Sequence, residues 1–217
     1  MEYKGLTIDI ESDIDRLDPR VEWYNVGTMY CRRDNRYALG DRDAEDPFEF
    51  DDWSIDSNRH RRDDIVVVLP LYLHDHGNIS MAVNAFEIDW NPDQYGWIYV
   101  TRDKVLSEYG WKRITKARRE KLIKRLVCEV ETYSQYLSGE VYCFLIKDDD
   151  GFVLDSLSGL FGLDSAEEEA KMAADVEFSN QMQNIKECLD DQTRYTVTQL
   201  KKSVRVEERL VTYAERS

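Results

Sequence analysis

The alternation of apolar and polar positions predicts strands in the first half of the chain. Residues 3–10 alternate, and residues 23–31 are rich in aromatic and β-branched side chains, so both segments favour extended structure. Residues 65–73 form a continuous apolar run typical of a central strand, and residues 79–83 follow closely enough to pair back as a hairpin. A further strand is predicted at residues 96–101.

Helical periodicity is clearest in residues 115–137, where apolar side chains recur every three or four positions. Gly139 is the expected end of this helix, because glycine readily adopts the left-handed backbone of a helix C-terminus. Residues 141–146 and 152–157 then flank an Asp-Gly pair, which predicts a second hairpin.

The C-terminal part of the chain has a helical composition. Ser165 precedes three glutamates as a helix N-cap would, and the helix dipole favours acids in the first turn. A second helix is therefore predicted from this serine to about residue 191. Residues 195–213 mix Thr, Val, Lys and Glu, and their periodicity fits either a strand pair or a helix.

These elements predict an α+β fold, with a mixed, largely antiparallel sheet, one packed amphipathic helix and a helical C-terminal addition. With 217 residues and 42% apolar content, the chain is long enough to bury a full core. We expect an α+β domain at residues 1–163 and an acidic helical extension at residues 164–217.

Two series of acids have the spacing of one face of a strand. An extended chain would place the carboxylates of each series on one side, about 6.7 Å apart. The first series is Asp9, Glu11, Asp13 and Asp15, and the second, which skips Pro47, is Asp41, Asp43, Glu45, Glu49 and Asp51. A regular row of carboxylates resembles a row of phosphates, so both series are predicted to bind a partner. The alternative is that they protect exposed strand edges and keep the protein soluble.

The charge balance indicates what kind of partner to expect. The chain has 44 acids against 29 lysines and arginines, a formal net charge of −15. Such a charge opposes direct binding to DNA, RNA or an anionic membrane. The predicted partner is therefore a basic, nucleic-acid-binding protein.

One segment, residues 112–125, is strongly basic. It contains one acid, Glu120, and the bases Lys112, Arg113, Lys116, Arg118, Arg119, Lys121, Lys124 and Arg125. As a nucleic-acid patch it would be opposed by the global charge. Two further interpretations stay open, namely the solvated back of an amphipathic helix, and a surface that meets an acidic series of a second copy in a homo-oligomer.

The cysteines and apolar runs favour a cytoplasmic protein. The four cysteines lie far apart without a Cys-x-x-Cys pair, which is typical of reduced thiols. The start of the sequence does not have the pattern of a signal peptide, and the apolar run at residues 65–73 is too short to span a bilayer.

His74 and His76 are the best candidates for metal ligands. At a strand end the two imidazoles would face the same way and supply two ligands. A third ligand at a diagnostic spacing is missing, and the alternative is that Asp75, Gly77 and their neighbours form a turn. No bound metal and no cofactor are predicted.

Candidate catalytic groups fail on geometry. Glu129 and Glu131 are about 200° apart on a helix and do not share a proton, while Tyr133 lies on the apolar face. The serines of Asp155-Ser-Leu-Ser-Gly159 lack the first glycine of a nucleophile elbow. No catalytic residue is predicted, so a binding protein is favoured over an enzyme.

From about residue 3 to residue 163 the chain resembles a family of uncharacterised proteins found in phages and scattered bacterial genomes. The blocks that carry this resemblance are Trp23-Tyr-Asn-Val-Gly-Thr-Met29, Leu39-Gly-Asp41, Leu69-Pro-Leu-Tyr-Leu-His-Asp-His-Gly77, Gly96-Trp-Ile-Tyr-Val-Thr101, Glu108-Tyr-Gly110 and Glu129-Val-Glu-Thr-Tyr-Ser-Gln-Tyr-Leu-Ser-Gly-Glu-Val-Tyr142. The resemblance implies a phage context and no particular reaction. The chain beyond Leu163 has no counterpart in it.

Acidity and the phage resemblance together lead to one functional hypothesis. The protein is predicted to be a phage-encoded acidic binding protein that inhibits a bacterial nucleic-acid-dependent defence system, either a restriction enzyme or a CRISPR effector, by nucleic-acid mimicry in the host cytoplasm. Two alternatives stay open. One is a metal-dependent enzyme that uses His74 and His76, and the other is a structural protein that assembles with itself.

Overall fold

The computed structural model describes residues 1–33, 36–48, 63–85 and 94–214, without the side chains of His76 and of residues 203–214. The helices in this part of the chain are α1 (Arg102–Tyr109), α2 (Lys116–Ser138) and α3 (Leu163–Ala214). The strands are β1 (Glu2–Tyr3), β2 (Leu6–Ser12), β3 (Thr28–Cys31), β4 (Ile65–His76), β5 (Asn78–Ala82), β6 (Gln94–Thr101), β7 (Val141–Lys147) and β8 (Val153–Phe161).

The strands form two antiparallel sheets, so the predicted α+β class is confirmed. One sheet has the order β1-β2-β7-β8 and the other has the order β3-β6-β4-β5. A single sheet was expected. Two sheets form instead, since β3 pairs with β6 in one sheet and β2 lies between β1 and β7 in the other.

By its contacts the chain divides into two compact units. The larger comprises Ile10–Cys143 and Leu157–Ala166, and the smaller comprises Met1–Asp9, Phe144–Ser156 and Glu167–Ser217. The boundary expected at residue 163 stays a prediction.

Helix α2 lies over the β3-β6-β4-β5 sheet and forms the core of the larger unit with it. Its buried stripe, which includes Leu122, Leu126 and Val130, belongs to one hydrophobic cluster with Leu71 of β4 and Ile98 of β6. The helix begins after the N-cap Thr115 and ends at Gly139, whose φ is 80°. This is the helix and the end that the periodicity predicts.

Two segments predicted as single strands have a different local structure. Residues 3–10 contain a hairpin turn at Lys4 and Gly5, both with positive φ, so that β1 folds back on β2. Of residues 23–31, only β3 is a strand. The backbone before it turns inward, because the amides of Val26 and Gly27 donate to a carboxylate of α2.

The smaller unit buries a few apolar side chains beside the first turns of α3. They are Leu6, Ile8, Phe144, Ile146, Ala170 and Ala174. Lys4 pairs with Asp175 of α3 at 2.7 Å and Lys147 pairs with Asp9 at 2.7 Å.

Helix α3 continues without a break to Ala214. The predicted end near residue 191 is therefore too early, and residues 195–213 are helical. Extending a helix costs far less than nucleating one, and no glycine or proline follows Gly162. In the described part of the chain, no helix combines the length and the apolar character needed to cross a membrane.

Candidate functional site

Three charged side chains from distant parts of the sequence meet in the larger unit. Arg20 comes from the loop before β3, Asp41 from the segment after it, and Glu129 from α2. The side chains of Arg20 and Glu129 are only 2% and 4% exposed, so the set is an interior one. We call these residues, with the backbone amides of Val26, Gly27 and Met29, the Arg20 network.

The guanidinium of Arg20 is held on three sides. Its Nε donates to Oδ1 of Asp41 at 2.8 Å and its Nη2 donates to Oδ2 at 2.7 Å, which makes a two-point ion pair. Nη1 donates to Oε2 of Glu129 at 3.3 Å, and Nη2 also donates to the carbonyl of Gly27 at 2.8 Å. The arginine therefore ties the loop before β3 to α2 and to the segment after β3.

The Glu129 carboxylate accepts four hydrogen bonds. Oε1 accepts from the amide of Val26 at 2.9 Å and from Nε of Arg125 at 3.0 Å. Oε2 accepts from the amide of Gly27 at 2.9 Å and from Arg20. Both oxygens are fully occupied, so this glutamate is not available as a general base or a nucleophile.

Backbone geometry at two glycines brings the loops this close. A Cβ at Gly27 would lie 2.6 Å from Cδ2 of Leu126 and 2.9 Å from Oε2 of Glu129, so only glycine lets the amide approach that carboxylate. Gly40 has a φ of 75° and its amide donates to the hydroxyl of Tyr133 at 3.2 Å. Gly40 directs the next residue, Asp41, toward Arg20.

Arg20, Cys31 and Tyr133 each have a raised pKa and stay protonated at neutral pH. Burial lowers the pKa of Arg20, but the hydrogen bonds and charges of Asp41 and Glu129 outweigh this and raise that pKa. Burial, helped by the charge of Asp41, raises the pKa of Cys31 to about 12. Burial also raises the pKa of Tyr133. A buried thiol and phenol of this kind are poor nucleophiles and bases, so the network is structural.

Two cavities open beside the network. One, of about 470 Å³, is lined partly by Tyr30, Arg32 and Tyr37, and the other, of about 590 Å³, partly by Asp18 and Arg20. Both are also lined by the segment from Gly40 to Ala44. Their size suits a small ligand, but acids and bases share the walls, so no single charge class of ligand is favoured.

The first acidic series keeps its regular spacing only as far as β2 extends. The strand ends at Ser12, so Asp13 and Asp15 lie beyond it and the predicted row of four is wrong. Asp9 is paired with Lys147, and that hydrogen bond lowers the pKa of Asp9. Asp13 turns the chain, because its carboxylate accepts from the amides of Asp15 at 3.1 Å and of Gly159 at 2.9 Å. Glu11 and Asp15 are exposed.

The second acidic series is not extended between residues 41 and 48, where turns and irregular backbone break the regular spacing of a strand face. Asp41 is drawn inward by Arg20 and also accepts from the amide of Met29 at 2.9 Å. Asp43 and Glu45 are exposed. Glu49 and Asp51 lie outside the described residues.

The two candidate metal ligands lie at a hairpin. His74 and His76 are in the last part of β4, which pairs with β5 around Gly77, and this glycine has a φ of 98°. Asp75 between them accepts from the hydroxyl of Tyr37 at 2.9 Å and pairs with Arg36 at 3.2 Å. Within the described residues, no group of three or more His, Cys, Asp or Glu could hold a metal ion.

Several bases of residues 112–125 contact the protein itself. Arg119 donates to the carbonyl of Val66 at 2.9 Å, and Arg125 pairs with Glu129. The guanidinium of Arg118 lies 4.9 Å from the ring centre of Trp111. These contacts favour the amphipathic-helix interpretation for part of the segment.

Arg20 is the member of the network that the sequence does not indicate. It belongs to no motif, and its partners lie far along the chain.

Comparisons with protein-family models, with curated proteins and with solved structures give no match for this chain.

Proposed function

We propose that this protein is an acidic inhibitor that binds the nucleic-acid site of a bacterial defence enzyme, either a restriction enzyme or a CRISPR effector. The observation that carries the proposal is a set of exposed carboxylates, those of Glu11, Asp15 and Asp43, which have no hydrogen-bond or ion-pair partner among the described residues. They belong to a chain whose net charge is −15. The family resemblance supplies the phage context, and the host cytoplasm is the proposed compartment.

The mechanism follows from charge. Carboxylates placed in the lysine and arginine sites of the target would displace the phosphates of its DNA or RNA and release bound counterions. The affinity for the target should therefore fall steeply as salt rises, and the nucleic acid should compete with the inhibitor. The protein itself is proposed to bind neither nucleic acid nor membrane, because its net charge repels both.

The Arg20 network has a supporting part in this proposal. It fixes Asp41, and Asp43 follows two residues later on the same turn. A carboxylate on a braced segment loses less conformational entropy on binding than one on a mobile loop. Asp41 itself is already occupied by Arg20 and Met29, so it supports the surface without being part of it.

Capture of the target from a bacterial lysate tests the proposal. Immobilised protein is loaded at low salt and eluted with a salt gradient, and bound proteins are identified by mass spectrometry. Retention of a nucleic-acid-dependent enzyme that is released by added DNA or RNA is the expected result. The variant Glu11→Gln, Asp15→Asn, Asp43→Asn should release it at much lower salt.

A matched control removes the same charge elsewhere. Asp103, Glu131 and Glu140 are also exposed, and they lie outside both acidic series. Their change to Asn, Gln and Gln should leave retention almost unaltered. If both triple variants weaken retention of the target equally, the binding depends on net charge alone and not on these three carboxylates. If the first variant retains the target fully at every salt concentration, the proposed mimicry is refuted.

A further inference from the structure

The distal half of α3 presents an apolar stripe to solvent. Met182, Ile185, Leu189 and Leu200 are each between 51% and 61% exposed. Four large apolar side chains on one side of a helix amount to an uncovered surface of the kind that marks an interaction site.

The spacing of the stripe suits helix pairing. Starting at Phe178, the positions advance by four, three and four residues through Met182 and Ile185 to Leu189, and the same steps lead through Thr193 and Thr196 to Leu200. An eleven-residue repeat of this kind has about 3.67 residues per turn, close to the period of a straight helix. The stripe therefore stays on one side of α3 over its length.

The charges of α3 change sign along the stripe. Between residues 177 and 190 the sequence has the acids Glu177, Glu187 and Asp190 and the base Lys186. Between residues 192 and 205 it has four bases and no acid, namely Arg194, Lys201, Lys202 and Arg205. Two copies in parallel would place halves of like charge together, whereas two antiparallel copies would place the acidic half of each along the basic half of the other. Most of these charges lie away from the stripe around the helix, so they favour the antiparallel orientation through the net charge of each half and not through ion pairs across the contact.

The apolar stripe is partly symmetric about Asp191, because Met182 and Leu200 lie equally far before and after it. In an antiparallel pair centred here, Met182 of each copy meets Leu200 of the other, while Ile185 and Leu189 meet the threonines Thr196 and Thr193. Asp191 lies roughly opposite the stripe around the helix, so the two central carboxylates do not meet.

We propose that a second copy of this chain binds along α3 in antiparallel orientation, centred near Asp191, and forms a homodimer. The overlap runs from about Phe178 to Val204, a contact roughly 40 Å long. This interface differs from the one expected between the basic segment and an acidic series, because both of its surfaces belong to one helix. It does not depend on the proposed inhibitory function.

Light scattering coupled to size exclusion, with the full chain, tests the assembly. The wild type is expected at twice the chain mass of 25.6 kDa. The variant Ile185→Glu, Leu189→Glu should be a monomer with unchanged circular dichroism, and its association constant should fall at least about tenfold because charges would enter the apolar stripe.

The matched control introduces two glutamates on other faces of the same helix. Val176 and Tyr195 are 58% and 68% exposed, and each lies roughly 130° around α3 from the stripe. Val176→Glu, Tyr195→Glu should remain a dimer. A wild type that stays monomeric at all concentrations, or a control that dissociates like the stripe variant, would overturn the proposal.

Disulfide trapping distinguishes the two orientations. In a background with the exposed Cys128 and Cys188 changed to Ser, the single variants Met182→Cys and Leu200→Cys are oxidised separately and as a mixture. Antiparallel pairing predicts cross-linked dimers only in the mixture, because residues 182 and 200 of opposite copies meet while identical positions lie about 27 Å apart. Efficient cross-linking of each variant alone would indicate parallel pairing instead.

Discussion

Carboxylates of this protein that are two residues apart on the chain lie in opposite environments. Asp41 and Glu129 are bound by converging donors in the Arg20 network, and the side chain of Glu129 is 4% exposed. Asp43 and Glu131, their near neighbours, are exposed to solvent. The acids that distinguish the sequence thus fall into two environments, and what separates them is whether backbone amides and an arginine converge on the carboxylate.

This difference has energetic consequences. The free energy gained by attraction within a buried ion pair is largely offset by the cost of removing both charges from water, so the pair makes a small net contribution to stability. Removing one partner is much more destabilising, because it leaves an unpaired charge in the interior. Exposed carboxylates interact weakly with the rest of the protein and contribute little to folding. We call Asp41 and Glu129 the interior set, and Glu11, Asp15 and Asp43 the exposed set. The interior set should therefore control stability, and the exposed set should control binding.

The largest effect is expected from breaking the interior set. Arg20→Ala leaves the buried Glu129 and the inward-facing Asp41 without their shared cation, and should reduce the free energy of unfolding by about 3–5 kcal/mol. Urea denaturation measures this change. A loss under about 1 kcal/mol would mean that the network is not the structural centre that its geometry indicates.

Arg125→Ala is the matched control for this variant. Arg125 also donates to Glu129, at 3.0 Å, but its side chain is 48% exposed. Its removal should cost less than about 1 kcal/mol, because water can replace the lost hydrogen bond.

The network and the helices also show how far the sequence could predict this structure. Helix α2 was predictable because apolar spacing is a local signal and Thr115 and Gly139 define its ends. The Arg20 network was not, because its members lie in separate segments and meet only once β3, α2 and the segment after β3 have packed. The extended spacing expected of the acidic series is wrong at Asp13 and Asp41 for a related reason. Asp13 accepts from the amide of Asp15 in a local turn, whereas Asp41 accepts from the amide of Met29, twelve residues before it, and from Arg20.

Helix α3 is the complementary case. Its tail, residues 195–213, gave an ambiguous pattern because it mixes β-branched and charged side chains whose periodicity fits either a strand pair or a helix. The helix predicted from Ser165 is present, but its continuation to Ala214 could not be predicted from the ambiguous pattern of its tail.

A second, smaller effect is expected where α2 meets the loop before β3. Gly27→Ala introduces a Cβ 2.6 Å from Cδ2 of Leu126 and 2.8 Å from Cδ1 of Ile98, and overpacking of this kind should cost about 1–3 kcal/mol. In a Leu126→Ala background the same change should cost less, because space is available. Strictly additive losses in this double-mutant cycle would place the strain elsewhere.

Alkaline pH should reduce the free energy of unfolding through the buried thiol of Cys31. Burial raises the pKa of this thiol from 9.0 to about 12, so below pH 9 the thiol is protonated in both states. As pH rises from 9 toward 12, only the unfolded chain loses this proton, and stability is lost, by about 1.4 kcal/mol at pH 10. Unfolding measured between pH 8 and 10 should show a steeper decline for the wild type than for Cys31→Ala. Parallel curves would contradict the pKa assignment.

The smallest effect on stability is expected at the exposed set, where the effect on binding should be largest. In the variant Glu11→Gln, Asp15→Asn, Asp43→Asn, each change removes an exposed charge from a protein whose net charge is −15. Each substitution should alter the free energy of unfolding by no more than about 0.5 kcal/mol, and relief of self-repulsion favours a small gain. The variant should therefore fold and melt like the wild type while it loses the salt-dependent retention of its target. If the variant instead unfolds readily, these exposed carboxylates also stabilise the fold. The division between acids that stabilise the fold and acids that bind a partner would then be wrong.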